Sequence, residues 1–92
     1  MVYFEWDEKK NLLNFEKHGI LFDEAQRAFK DKNRIIIFDE KHSSGENRYF
    51  CIGKIGVNII TVRFTYRKNK IRIFGAGKWR RGENIYEQKH KI

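Results

Sequence analysis

The chain has no proline and one cysteine in 92 residues. The lone thiol, Cys51, excludes an internal disulfide and a thiolate-rich zinc site. It is also a poor nucleophile candidate, because it lies inside a strand-like run with no histidine at a telling spacing. Without proline no linker is marked, and no repeat or low-complexity tract divides the chain. There is no apolar run long enough to span a bilayer and no signal-peptide pattern, so a soluble, cytoplasmic protein is expected, folded as one domain over residues 1–92. Gly75-Ala76-Gly77 lacks the rest of a P-loop or dinucleotide fingerprint, and the acids Asp39, Glu40 and Glu46 are not spaced like a metal loop. No cofactor and no metal are expected. What the chain has in excess is positive charge, with 20 Lys and Arg against 12 Asp and Glu, a formal +8. A small basic domain rich in aromatics fits a polyanion, nucleic acid first. An anionic membrane fits less well, since no segment joins a basic face to a broad apolar helical face.

The stretch from Arg48 to Arg81 dominates the pattern. Ile60, Val62, Phe64 and Tyr66 alternate with Thr61, Arg63, Thr65 and Arg67, the period of a half-buried strand. Lys68-Asn69 fits a two-residue hairpin turn. The pairing that follows sets Tyr66 against Ile71, Phe64 against Ile73, Thr65 against Arg72 and Arg63 against Phe74. A slip of one residue would bury arginines. A three-residue turn at Lys54, Ile55 and Gly56 sets the preceding strand with Phe50 and Ile52 on the apolar face and Tyr49 and Cys51 on the polar one. One sheet face is then a core wall. The other presents Arg63, Arg67 and Arg72, and the basic run continues through Lys78, Arg80 and Arg81. A solvated face that aids solubility is the bland alternative. The preference for Arg, a planar fork matched to phosphate oxygens, weighs against it.

Before this block, Val2 to Trp6 reads as a short strand that adds to the sheet or covers its edge. Asp7 is a good N-cap for a helix over about Glu8 to Lys17, with Leu12 and Phe15 on its core face beside Leu13. His18-Gly19 stops it, with Gly19 suited to the left-handed C′ position. A second helix runs from Phe22 to Lys30, with Phe22, Ala25 and Phe29 inward. Arg34 to Phe38 reads as a strand buried on both faces for part of its length, followed by a polar loop over 39–47. A short C-terminal helix over Gly82 to Lys91 is possible, docking weakly through Ile85-Tyr86. The fold class expected is α+β, with two N-terminal helices packed on one face of a mainly antiparallel sheet.

Residues 4–29, FEWDEKKNLLNFEKHGILFDEAQRAF, resemble the opening of the BrnT family. The likeness rests on Trp6-Asp7, Asn14, Lys17-His18-Gly19, Phe22 and Glu24-Ala25. It continues through Arg48, Gly53, Thr65-x-Arg67 and Ile71-Arg72-Ile73, nearly the whole chain. The resemblance implies a RelE-like fold and a toxin of a type II toxin–antitoxin pair that cleaves RNA and arrests translation. It implies RNA as substrate and, as partner, a BrnA-like ribbon-helix-helix antitoxin, through which alone DNA would be reached. There are departures. Where the family commonly reads Ile-Ser-Ala-Arg, this chain has Phe74-Gly75-Ala76-Gly77, and Leu21 stands where a capping Ser is common. Lys78, Arg80 or Arg81 would replace the missing arginine. The alternative is an inactive branch, a non-catalytic module that binds nucleic acid or antitoxin.

Cleavage of this type lets the ribose 2′-hydroxyl attack its neighbouring phosphate. The protein orients the chain, neutralises charge on the phosphoryl oxygens and moves protons. Arg67 and Arg72 are the expected phosphate stabilisers. Arg63, Lys78, Arg80 and Arg81 would hold flanking phosphates, with Trp79 and Tyr49 stacking on bases. His18, Tyr86 and Glu83 are the candidates for proton transfer, unranked among themselves.

Overall fold

The computed structural model describes residues 2–91. Strand β1 (Tyr3–Trp6) leads into helix α1 (Glu8–His18). The expected caps form. Asp7 Oδ1 accepts from the Lys10 N–H at 3.2 Å, and Gly19, at φ +72°, donates its N–H to Phe15 O at 2.8 Å. The second helix is α-helical only over Phe22–Ala25 (α2) and tightens into a 3-10 segment over Gln26–Lys30. Then come β2 (Ile35–Phe38), a 3-10 turn at Glu40–His42, β3 (Arg48–Ile55), β4 (Asn58–Arg67), β5 (Lys70–Gly77) and α3 (Arg80–Lys89).

The strands form one sheet in the order β1-β5-β4-β3-β2. The α+β class holds, but the sheet is mixed, because β1 pairs parallel to β5. The β4–β5 register is as the alternation requires from Arg67 to Phe64. Its turn residues Lys68 and Asn69 both take positive φ, 47° and 67°, the type I′ geometry that matches strand twist. Beyond Ile73 the ladder shifts. Phe74 is an extra residue, so Arg63 faces Gly75 rather than Phe74.

The β3–β4 connection corrects a larger expectation. Ile55 pairs with Asn58, leaving a two-residue turn of Gly56 and Val57, with Gly56 at φ +63°. One residue fewer in the turn moves every β3 side chain to the opposite face. Tyr49 and Cys51 therefore join the main core with Val62 and Phe64, while Phe50 and Ile52 lie on the arginine face.

The main core lies between one sheet face and α1, α2 and the 3-10 segment, centred on Phe22, Val62, Phe64 and Ile73. Phe29 packs edge-on to Phe64 at 5.0 Å between centroids. Helix α1 does not turn Leu12, Leu13 and Phe15 inward. They keep 56 %, 55 % and 50 % of their surface exposed, and Asn11 and Asn14 are buried instead. The cause is the sheet edge. β1 pairs with β5 only through Ile73, and α1 runs beside the remainder. There the Asn14 amide replaces the missing strand, donating to Ala76 O at 2.9 Å and accepting from Ala76 N–H at 3.1 Å. Asn11 accepts the Phe22 N–H at 2.7 Å.

β2 is an edge strand rather than one buried on both faces. α3 begins two residues earlier than expected and docks firmly, on the sheet face opposite α1. Tyr86 is buried with Ile52 and Ile59, and Gly82 lies against Thr61 where a Cβ would collide with the hydroxyl. The parity that puts Ile52 on this face is what gives α3 an apolar seat.

Candidate nucleic-acid interface

The second face of the sheet is built in rows. Arg48, Thr65, Arg72 and Glu5 lie across β3, β4, β5 and β1; Phe50, Arg63 and Gly75 form the next row; Ile52, Thr61 and Gly77 form a third, at the level where α3 packs on Thr61. The arginines thus occupy the part of the face that α3 leaves open.

Most of these cations are already held. The Arg67 fork donates twice to Glu46, Nε to Oε2 at 3.3 Å and Nη2 to Oε1 at 3.1 Å, and Arg48 Nη2 is 3.6 Å from the same Oε1. Hydrogen bonding from Arg67 holds the Glu46 carboxyl below its ordinary range. Glu5 bridges Arg72 at 3.5 Å and Lys70 at 3.9 Å. Such solvent-facing pairs are weak because water screens them, so they aim the guanidinium groups without locking them. Arg48 also lies 4.3 Å from the Phe74 ring centroid, a cation–π contact that the bulge makes room for. Arg63 enters none of the ion pairs among the described residues. It is half-buried beside Gly75, where a Cβ would be 3.7 Å from its Cδ and Nη1.

At the α3 end, the expected residues also gather. His18, exposed at the end of α1, meets the Trp79 ring edge-on at 5.2 Å. The Trp79 indole lies over Gly77, where a Cβ would come within 2.9 Å of it. Position 77 is thus covered by an aromatic ring from two residues further on. Glu83 donates its N–H to Trp79 O at 3.0 Å in the first turn of α3, and Lys78, Arg80 and Arg81 are exposed around it. Gly75 and Gly77 are two residues apart on one strand, about 7 Å, so this corner adjoins Arg63.

Two candidates lie elsewhere. Tyr49 is on the core face, stacked on Phe64 at 5.5 Å, because the shorter turn reversed its parity. Tyr86 is buried and donates its phenol to Asp31 Oδ2 at 2.6 Å. Burial and that hydrogen bond push its pKa up to about 12. Burial alone would raise Asp31, but hydrogen bonds from the Lys54 N–H, the Tyr86 phenol and the Asn33 N–H outweigh it and hold the carboxyl low. Tyr86 therefore ties α3 to the segment before β2. Cys51 is buried and its thiol is pushed up to about 12, which removes the thiolate a nucleophile needs.

Sequence reasoning missed Arg48, Glu46, Glu5 and Phe74. Arg48 was findable: with a two-residue turn it falls opposite Thr65, in the row of Arg72. The carboxylates carried no signal, since their pairing depends on β1 reaching β5 and on the loop before β3.

The arrangement is that of a small basic α+β domain whose open sheet face offers several guanidinium forks to phosphate oxygens. A family model described as the ribonuclease toxin, BrnT, of a type II toxin–antitoxin system matches residues 6–83, and the chain belongs to that family. It is thus a ribonuclease toxin by family, and membership implies an RNA substrate and an antitoxin partner. Among curated proteins none matches the chain. Among the described residues no helix is long and apolar enough to cross a membrane.

Proposed function

We propose that this single domain is a RelE-like, metal-independent endoribonuclease that acts in the cytoplasm, arrests translation and is held in check by a BrnA-like ribbon-helix-helix antitoxin. The observation that carries the site assignment is the convergence of Arg48, Arg63, Arg67 and Arg72 on one open sheet face of a chain in this family. In the proposed reaction the 2′-hydroxyl attacks in line, giving a cyclic phosphate and a free 5′-hydroxyl. Arg67 and Arg72 stabilise the phosphoryl oxygens, and Arg63, which no carboxylate occupies, takes a neighbouring phosphate. Lys78, Arg80 and Arg81 track the chain, and Trp79 offers a ring to a base. His18, whose ring meets Trp79, and Glu83, in the first turn of α3, are the remaining candidates to move protons, since the Tyr86 phenol is committed to Asp31. Arg67→Ala and Arg72→Ala are expected to abolish growth arrest and RNA cleavage in EDTA while leaving the circular dichroism spectrum unchanged. Full toxicity of both variants would remove this face as the active site.

One observation favours a second reading, a module that binds RNA or antitoxin without cutting. Trp79 covers Gly77, where the family commonly carries an arginine. RNA binding with steep salt dependence fits both readings. Cleavage alone separates them.

A further inference from the structure

The last strand in the sheet, β2, has no neighbour on its outer side among the described residues. Asp39 donates its N–H to Arg48 O at 2.8 Å. In an antiparallel pair these groups alternate, so residues 35, 37 and 39 bond toward β3, whereas Ile36 and Phe38 turn both N–H and C=O outward. Their side chains, 41 % and 46 % exposed, lie on the face that carries the main core, at a corner the helices leave bare. The apolar surface continues inward, with Phe38 5.7 Å from Tyr49 and Tyr49 5.3 Å from the exposed Tyr66.

Edge strands normally defend themselves with lysine, proline, a bulge or an inward charge. Ile35-Ile36-Ile37-Phe38 has none of these. The unpaired backbone groups specify the shape of what covers this edge, an extended strand. Local charge specifies its chemistry. Lys32, Arg34 and Lys41 are exposed around β2. The acids Asp31 and Asp39 are turned to internal donors, Asp31 to Lys54 N and the Tyr86 phenol, Asp39 to His42, which leaves Glu40 as the exposed anion. A second copy of a chain carrying +8 is disfavoured as the occupant by its own charge.

We infer that the free edge of β2 captures an extended acidic segment of a partner protein as a sixth strand, whose alternate apolar side chains cover Ile36 and Phe38. The partner's identity rests on the antitoxin reading above. The surface stands on its own geometry, away from the arginine face, and its test uses neither toxicity nor cleavage.

Hydrogen exchange of the whole chain would be followed with and without millimolar acetylated octapeptide of alternating glutamate and valine. The amides of Ile36 and Phe38 are expected to slow by about tenfold or more. Ile36→Pro is expected to abolish the effect. Its N–H faces away from β3, so proline removes no ladder bond and the fold should persist. Phe38→Glu, which repels the peptide and deletes an exposed contact, is the second variant should Ile36→Pro fail to fold. Unchanged exchange at both amides, or slowing that both variants leave intact, would overturn the inference. So would a sedimenting dimer of the free protein in which these amides are already protected, because a second copy would then be the occupant.

Discussion

Asn14→Leu is expected to unfold this protein more readily than any truncation of the apolar residues on α1, the opposite of what an amphipathic reading of that helix requires. Asn14 is buried, and its amide serves three backbone groups: Ile20 O at 3.1 Å, Ala76 O at 2.9 Å and Ala76 N–H at 3.1 Å. Leucine fills similar space but satisfies none of them. Three orphaned buried groups at about 1–2 kcal/mol each cost about 3–6 kcal/mol. Burying the leucine returns about 1–2 kcal/mol, for a net loss of about 1–5 kcal/mol. That is a large part of the roughly 5–15 kcal/mol that holds a domain together. Leu12→Ala, at a position 56 % exposed, should cost about 0.5 kcal/mol or less. Urea denaturation reads both as a shift in midpoint at unchanged m-value. An Asn14→Leu loss under about 1 kcal/mol, or a Leu12→Ala loss exceeding it, would refute the claim that this amide closes the sheet edge.

Gly77→Arg alone should destabilise by about 1–3 kcal/mol, because its Cβ would come within 2.9 Å of the Trp79 indole. Adding Trp79→Ala should recover part of the loss, and strictly additive thermal shifts would show that the two positions do not compete. Glu46→Gln frees Arg67 and Arg48 from their shared carboxylate and should tighten RNA binding about two- to fivefold at low salt. Weaker binding in a filter or anisotropy assay would mean that Glu46 positions the forks rather than competing for them. Stability should fall at alkaline pH. The Cys51 thiol and Tyr86 phenol ionise natively only near 12, above their ordinary 9.0 and 10.0. Below pH 9 both contributions are fully present, and they decline as pH rises toward 12, where the unfolded chain holds fewer protons. Denaturation at pH 8, 10 and 11 checks this, and Tyr86→Phe should flatten the upper part of the decline.

The elements whose signals are local were legible. Asp7 and Gly19 bound α1 through capping bonds that a few neighbouring residues determine, and the alternation of β4 sets its register with β5 as far as Phe64. What failed depended on other elements. Leu12, Leu13 and Phe15 make an apolar stripe by spacing alone, and nothing within α1 announces that an unpaired strand edge will claim the asparagines instead. β1 reads correctly as a strand, but its parallel pairing to β5 is settled by the long connection that follows it.

The turn between β3 and β4 shows how far one local ambiguity travels. Gly56 allows positive φ in either a two- or a three-residue turn, so the sequence leaves the parity of β3 open. With the shorter turn, Tyr49 leaves the candidate interface and Arg48 enters it. Ile52 moves with Arg48 and seats α3 through Tyr86. α3 then carries Trp79 across Gly77 to His18. The composition of the site, the docking of the C-terminal helix and the covering of Gly77 by Trp79 are therefore one consequence, and a single inserted residue in that turn would be expected to disturb all three together.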